Sequence, residues 1–421
     1  MQFTSLMPPL FAVFLILFVG FVNFCFFLLW QRYQYFNQRN IPTPPFVYFF
    51  GHLKILWNST SFYRQLESWT KQYGKIYGIY QGSSPTLIVS DPDFLQEVFI
   101  KQFANFHGRR EVPMISRNRN VFTAWGAQWH RHRHIINPTF SSVKLKLMSP
   151  LINECIDNAM KKISDHATDG NEFNIYMYYK RMTMDVICRC AFGIDTDLQN
   201  NPNNIYFQKV EEIFACNIRT SFIFKLTLLI PELTIIIGRI ASYISTIQTW
   251  INTHVLPLIS NRRLYELPGM WLLNRLSPII DERQKTPTSR VDVLQLMMQA
   301  MIDEQETNKA QYQLTRDEII SNILAFMAAG YETTATALAY ATYMIAKHPE
   351  VQEKLRAEID RLSLKDDEIY PDYDIIAQMT YMNMFVMEVL RMHPIALAAV
   401  QRRAFENTVI QGIQISKGMR V

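Results

Sequence analysis

The chain has 421 residues, of which 49% are hydrophobic, 13% aromatic and 19% charged. That balance suits a large folded core together with a membrane segment, and it excludes a disordered or collagen-like chain. A formal net charge of +5 on this length is mild and gives no case for nucleic acid, which needs a concentrated basic stripe.

The first element is an apolar run from Leu10 to Trp30 without a charge, where only Asn23 is clearly polar. At helical rise it spans the ~30 Å hydrocarbon core of a bilayer. A secretory leader would have a shorter apolar run, positive charge before it and a small-residue cleavage site after it; this stretch has none of them. Arg32, Arg39 and Lys54 follow the run, so the positive-inside rule sets residues 1–9 as a lumenal tip and the bulk on the cytoplasmic side. Residues 31–45 read as a basic, proline-rich hinge, with Ile41-Pro-Thr-Pro-Pro45 as a stiff spacer. Asn58-Ser-Thr60 is a glycosylation sequon that this orientation leaves unmodified.

Lys75–Tyr80 and Pro85–Val89 are β-branched and aromatic, and Gln81–Ser84 separates them as a hairpin turn. Asp91-Pro92 opens a short helix with an N-cap and a proline at the first helical position. Next comes a basic cluster, Arg109-Arg110 and Trp125–Phe140. His130 and His134 are four apart and on a helix could bind a metal, but no further ligand follows at a helpful spacing; a basic surface helix is the other reading. Trp129 and Arg133, one turn apart, offer an indole N–H and a guanidinium to a buried anion. Residues 174–190 and 205–221 read as helices. An apolar segment over 222–240, broken at Pro231, is too interrupted for a second span and reads as a monotopic membrane contact, with plain core as the other reading. The five cysteines, Cys25, Cys155, Cys188, Cys190 and Cys216, have no metal-ligand spacing and fit a reduced compartment.

The longest element starts at Leu314. Thr315 and Glu318 have the spacing of a capping box, and nothing stops the helix before His348-Pro349, a length of ~48 Å. Low polarity from Ile319 to Ala346 predicts burial on both sides. Its one polar interruption is Ala329-Gly330-Tyr331-Glu332-Thr333-Thr334, where a mid-helix glycine and a carboxylate, both costly in a buried helix, occur beside two threonines able to bond back to the backbone. This reads either as a kinked core helix or as a groove for a small ligand. Beyond it lie an amphipathic helix over 349–362, a helix over 381–391 that ends in Glu388-Val-Leu-Arg391 before His393-Pro394, then Arg402 and a strand–turn–strand near 408–418.

The interruption resembles the oxygen-binding helix of the cytochrome P-450 superfamily, Ala/Gly-Gly-x-Asp/Glu-Thr-Thr. Trp129 and Arg133 match that family's Trp-x-x-x-Arg, and Asn137-Pro-Thr-Phe140 and Arg290–Met297 resemble its drug- and steroid-oxidising clan. Glu388 and Arg391 match its Glu-x-x-Arg, and the apolar anchor with its proline-rich hinge resembles its microsomal members. The resemblance implies a mainly α fold with small β-sheets, residues 46–421 forming a catalytic monooxygenase domain. It implies haem b as cofactor, an endoplasmic-reticulum membrane location and electrons from NADPH through a partner reductase. One oxygen atom of dioxygen would then enter a lipophilic small molecule.

By the same resemblance Thr333 and Glu332 deliver protons, Ala329 and Gly330 leave room for dioxygen, and Ala325, Phe326 and Ala329 face substrate. Arg109, Trp129, Arg133 and Arg402 hold the haem propionates, and Glu388 with Arg391 forms a structural ion pair holding the proximal core. Members of the family continue for roughly a hundred residues past the equivalent of Val421, through the loop whose cysteine ligates iron. The ligand is therefore expected beyond Val421 and no metal ligand within the chain. The alternative reading is a membrane-anchored fragment without catalysis.

Overall fold

The computed structural model describes residues 7–109, 119–201, 203–215, 222–259, 266, 268–285, 292–299, 314–362 and 370–421. Arg110, Cys216, Arg290, most of the expected lumenal tip and the end of the helix expected over 205–221 lie outside them. In chain order the elements are α1 (Met7–Tyr33), α2 (Leu53–Asn58), α3 (Phe62–Tyr73), β1 (Ile76–Gln81), β2 (Ser84–Val89), α4 (Pro92–Gln96), α5 (Phe103–Phe106), α6 (Gly126–Ile136), α7 (Ser142–Asp169), α8 (Ile175–Ile187) and α9 (Ile205–Ala215). They continue as α10 (Phe222–Leu229), α11 (Leu233–Trp250), α12 (Leu256–Ile259), α13 (Pro268–Lys285), α14 (Val293–Met298), α15 (Arg316–Lys347), α16 (Pro349–Asp360), α17 (Tyr373–Gln378), α18 (Thr380–Met392), β3 (Thr408–Ile410) and β4 (Ile413–Ile415). The fold is mainly α with two small antiparallel hairpins, as expected.

The chain divides into two compact units. The first comprises Met1–Pro113, Asn217–Ala241 and Gln401–Val421, and the second Met114–Cys216 and Ser242–Val400.

In the first unit, β1 and β2 pair from Ile76↔Val89 to Gln81↔Ser84 around the turn expected there. Gly82 in that turn has φ +62°, and a Cβ on it would lie 2.6 Å from the carbonyl oxygens of Leu228 and Leu229, so only glycine fits. Asp91 caps α4 by accepting from Phe94 N–H at 3.0 Å. The core is aromatic: Tyr33, Phe36 and Tyr80 are buried, with Tyr80 4.9 Å from both of the other rings.

That core corrects the hinge expected over 31–45. Tyr80 donates to the Tyr33 carbonyl at 2.8 Å, the Gly78 N–H donates to the Pro42 carbonyl at 2.8 Å, and His52 Nε2 bonds the Pro44 carbonyl at 2.9 Å. The sequence shows the prolines and basic residues of this stretch; it does not show that Tyr33, Phe36 and Ile41 find an apolar pocket. Arg32, at the end of α1, pairs with Glu232 at 2.8 Å and donates to Ser83 at 3.0 Å. From Phe11 to Leu28 the phenylalanines and leucines of α1 are exposed, and it is the one helix among the described residues long and apolar enough to cross a membrane.

In the second unit, α15 is the axis of the core. Ile319, Ile320, Ile323, Leu324, Met327 and Tyr331 pack with Met184 of α8, Leu272, Leu276 and Ile280 of α13, and Leu294 and Met297 of α14. The capping box is formed on both sides: Thr315 Oγ1 accepts from Glu318 N–H, and Glu318 Oε2 accepts from Thr315 N–H at 3.0 Å. The expected burial on both sides holds from Ile319 to Ala328 but not beyond, since Ala329 is exposed and so, in the second half, are Tyr340 and Tyr343. Alanine and tyrosine keep that half low in charge, yet both tolerate a surface position. Glu358 of α16 caps α18, its two carboxylate oxygens accepting from Tyr381 and Met382 N–H at 2.8 Å.

Candidate functional site

The polar interruption of α15 keeps its helical path through two back-bonding hydroxyls. Thr333 Oγ1 donates to the Ala329 carbonyl, and Thr336 Oγ1 donates to the Glu332 carbonyl at 2.7 Å. Such bonds loosen the carbonyl's hold on the helical ladder. Phe326, Ala329 and Thr333, three and four apart, share one stripe of the helix. Ala329 is exposed on it, Ala325 beside it is half-buried, and Phe326 meets the ring of Phe140 edge-on at 5.3 Å.

Gly330 lies against α8. A Cβ there would stand 2.5 Å from Ile187 Cδ1 and 3.1 Å from its Cγ1, so the space that glycine leaves is filled by α8. Tyr331 is fully buried, 5.9 Å from the Phe207 ring and nearly perpendicular to it. Thr183 of α8 donates to the Tyr331 carbonyl at 3.0 Å, which satisfies the backbone where the helix is loosened.

Glu332 also turns to α8. Tyr176 donates its phenolic hydrogen to Oε1, and Lys180 Nζ lies 3.6 Å from Oε2 and 2.8 Å from Glu211 of α9. One ammonium thus serves two carboxylates. Burial alone would lower the Lys180 pKa, but Glu211, Tyr331 and Glu332 overcome it and raise it. Burial raises the Tyr176 phenol, and its bond to Glu332 raises it further, so it stays a donor. Neither Tyr176 nor Lys180 stood out in the sequence. Each lies on the amphipathic helix 174–190 with no local pattern to mark it.

On α6, Trp129 is half-buried, and Arg133, His130 and His134 are exposed. The neighbouring face carries what sequence reading missed. Gln128, Arg131 and His132 all reach Glu318 at the start of α15: Gln128 at 3.1 Å, His132 Nε2 at 3.2 Å, and Arg131 as a close ion pair. Burial pushes the Glu318 carboxyl up, but hydrogen bonds from His132, the Thr315 N–H and Gln128 outweigh it and hold the pKa at about 2. The capping-box spacing flagged Glu318 as a helix start and gave no sign of its partners on α6.

In the first unit, backbone pairing of Gly108 with Arg403 and of Arg402 with Val421 brings Arg109 and Arg402 together. Arg402 also lies over the Phe99 ring, 4.9 Å from its centroid. Burial and then the charge of Arg109 push the Arg402 pKa down to about 10, and burial lowers Arg109. The charge of Arg109 thus adds to burial in disfavouring the charged form of Arg402.

One expectation changes here. Glu388 and Arg391 do pair, at 2.7 Å through both carboxylate oxygens, but both side chains are more than half exposed. The pair is a surface bridge on α18 in this structure and does not hold a buried core together. Cys155 and Cys188 are buried free thiols, both pushed up to about 12 by burial, so they are packing groups and poor thiolates.

The described residues define a class: a mainly α protein with a polar break in its longest core helix. Comparison with known proteins agrees. The family described as cytochrome P450 matches residues 41–421. The Caenorhabditis elegans protein described as cytochrome P450 CYP13A4 is 30% identical over 424 residues, covering 96% of this chain and 78% of its own. The one described as CYP13A5 is 32% identical over 371 residues, covering 85% of this chain and 69% of its own. The chain belongs to the cytochrome P450 family, whose members are haem monooxygenases.

Proposed function

We propose that the chain serves oxidation of a lipophilic small molecule, with haem b as cofactor and NADPH-derived electrons from a partner reductase. In this reading α1 anchors it in the endoplasmic-reticulum membrane with the folded part cytoplasmic. The observation that carries the reading is the pairing of Thr333 and Glu332 in α15: a hydroxyl back-bonded to Ala329 beside a carboxylate that Tyr176 and Lys180 hold.

When bound, haem supplies the activation of dioxygen. The chain's own residues do the rest. In the first unit, Arg109 and Arg402 offer two guanidinium groups to propionate carboxylates, relieving their mutual repulsion. In the second, Trp129 and Arg133 offer an indole N–H and a guanidinium to the same kind of group. Thr333 holds a proton at Oγ1 on the stripe shared with Ala329, and Glu332 is the adjacent acid–base group that resupplies it. Ala325, Phe326 and Ala329 form the apolar surface for substrate, and Gly330 contributes by letting α8 approach.

The test is coupling in enzyme reconstituted with haem, reductase and NADPH. Thr333→Ala is expected to consume reductant and release hydrogen peroxide in place of product, since positioned proton transfer is worth roughly 10²–10⁴-fold. Unchanged product per NADPH would reduce Thr333 to a helix-loosening residue. Orientation is tested separately at Asn58, exposed at the end of α2. It is expected to remain unglycosylated in microsomes, and a mass shift lost in Asn58→Gln would reverse the topology.

A further inference from the structure

We infer that Glu318 is a positioning residue, fixing the rotation of α6 about its own axis so that Trp129 and Arg133 present one face together; the purpose of that face rests on the propionate reading above. Gln128, Arg131 and His132 stand at i, i+3 and i+4 on α6, which is one face of a helix. All three end on the Glu318 carboxylate, which is only 4% exposed. Trp129 and Arg133, at i+1 and i+5, occupy the adjacent face. A slip of one residue would turn α6 by about 100° and carry both away together.

The site is built for one arrangement. Glu318 Oε2 is committed to the Thr315 N–H, so Oε1 is left to face α6. Asn322, fully buried one turn on, accepts from the Val121 N–H at 2.7 Å, which fixes which side of its amide carries hydrogen. Its Nδ2 donates to the Glu318 carbonyl at 2.7 Å and faces His132 Nδ1 at 3.3 Å. His132 Nε2 lies 3.2 Å from Glu318 Oε1. The His132 ring is fully buried between these contacts. The carboxylate thus reads three side chains of α6, while Asn322 ties the same point to the segment before α6.

A merely structural role would be shared with the other half of the capping box, and that separates the two ideas. Hydrogen–deuterium exchange is measured on the full chain in detergent micelles for wild type, Glu318→Ala, Glu318→Gln and Thr315→Ala. Glu318→Ala is expected to raise exchange across residues 126–136, while Thr315→Ala raises it only in the first turn of α15. Glu318→Gln keeps one acceptor oxygen in place of two; turned toward α6 it can still accept from Gln128, and it is expected to restore part of the protection there while loosening the first turn of α15. Haem titration of the same proteins should show Glu318→Ala weakened on the order of tenfold, as for other outer-shell supports.

Unchanged exchange in α6 or equal loosening by Thr315→Ala would each overturn the proposal, as would a loosened α6 with unchanged haem affinity if Trp129→Phe or Arg133→Met does weaken haem binding. The propionate reading has its own control. Haem affinity unmoved by both Trp129→Phe and Arg133→Met would sink that assignment, while a loosened α6 in Glu318→Ala would still uphold the role of Glu318 in setting the helix.

Discussion

Tyr176 of α8 donates its phenolic hydrogen to Glu332 of α15, across a sequence separation of 156 residues. Lys180, one turn further along α8, adds its charge 3.6 Å from the other carboxylate oxygen. The acid of the motif is thus held by a neighbouring helix, and its position depends on that hydroxyl. Tyr176→Phe removes the donor with little change in shape. It is expected to lower stability by about 1 kcal/mol, the size of a typical net hydrogen bond, and the loss should disappear in a Glu332→Ala background. Thermal unfolding of the four proteins in that cycle is the check, and additive losses would mean that the contact carries no stability.

Gly330 gives a sharper test of packing. Replacing a mid-helix glycine by alanine gains about 1 kcal/mol in helix propensity, whereas overpacking costs about 1–3 kcal/mol. The new Cβ would meet Ile187 Cδ1 at 2.5 Å, and the contact to Cγ1 at 3.1 Å keeps the side chain from simply swinging clear. Gly330→Ala is therefore expected to destabilise the protein alone and to stabilise it in an Ile187→Val background, where Cδ1 is gone. Denaturant midpoints of both pairs decide it. Destabilisation of equal size in both backgrounds would show that Ile187 is not what the glycine accommodates.

What could be read in the sequence was local. The capping box of Thr315 and Glu318, the Asp91-Pro92 helix start and the 81–84 turn each depend on residues within four positions of one another, and each formed as expected. The partners of Glu332 and Glu318 depend on helices more than 150 residues away, and no periodicity carries that information. Tyr33 and Phe36 show the opposite failure. They sit in a stretch whose prolines and basic residues dominate its composition, so their burial against Tyr80 went unread. Gly330 was legible as an anomaly, and only its neighbour Ile187 shows what the anomaly is for.

The Glu388–Arg391 bridge leads to a prediction opposite to that for a buried pair. Each group favours the charged form of the other, lowering Glu388 and raising Arg391, but both face water. Exposed i,i+3 pairs contribute little because solvent and salt screen them. Arg391→Ala is expected to accumulate as folded protein with wild-type protease resistance, and its thermal midpoint should differ from wild type less at high salt than at low salt. Loss of folded protein would show that Arg391 has a partner the surface bridge does not account for.

His52 sets the pH dependence of the first unit. Its Nδ1 accepts from the Tyr80 N–H at 2.9 Å and its Nε2 bonds the Pro44 carbonyl at 2.9 Å, so the neutral ring satisfies both partners. A second ring proton would face the Tyr80 N–H and break that bond. Burial accordingly lowers the His52 pKa from 6.5, the two backbone contacts only partly opposing it. In the unfolded chain the residue titrates near its ordinary value, so below 6.5 the unfolded state binds the extra proton first. The stability from His52 is full above pH 6.5 and drains away as pH falls from 6.5 toward the lowered value. Glu318 does not confuse this window, because its own contribution fades only between 4.5 and about 2. Thermal midpoints of the full chain in detergent, read by tryptophan fluorescence from pH 7.5 to 5.5, should fall in wild type. His52→Gln, whose amide can reach both partners without titrating, should fall less over the same range. Equal slopes for the two proteins would exclude His52 as the titrating group.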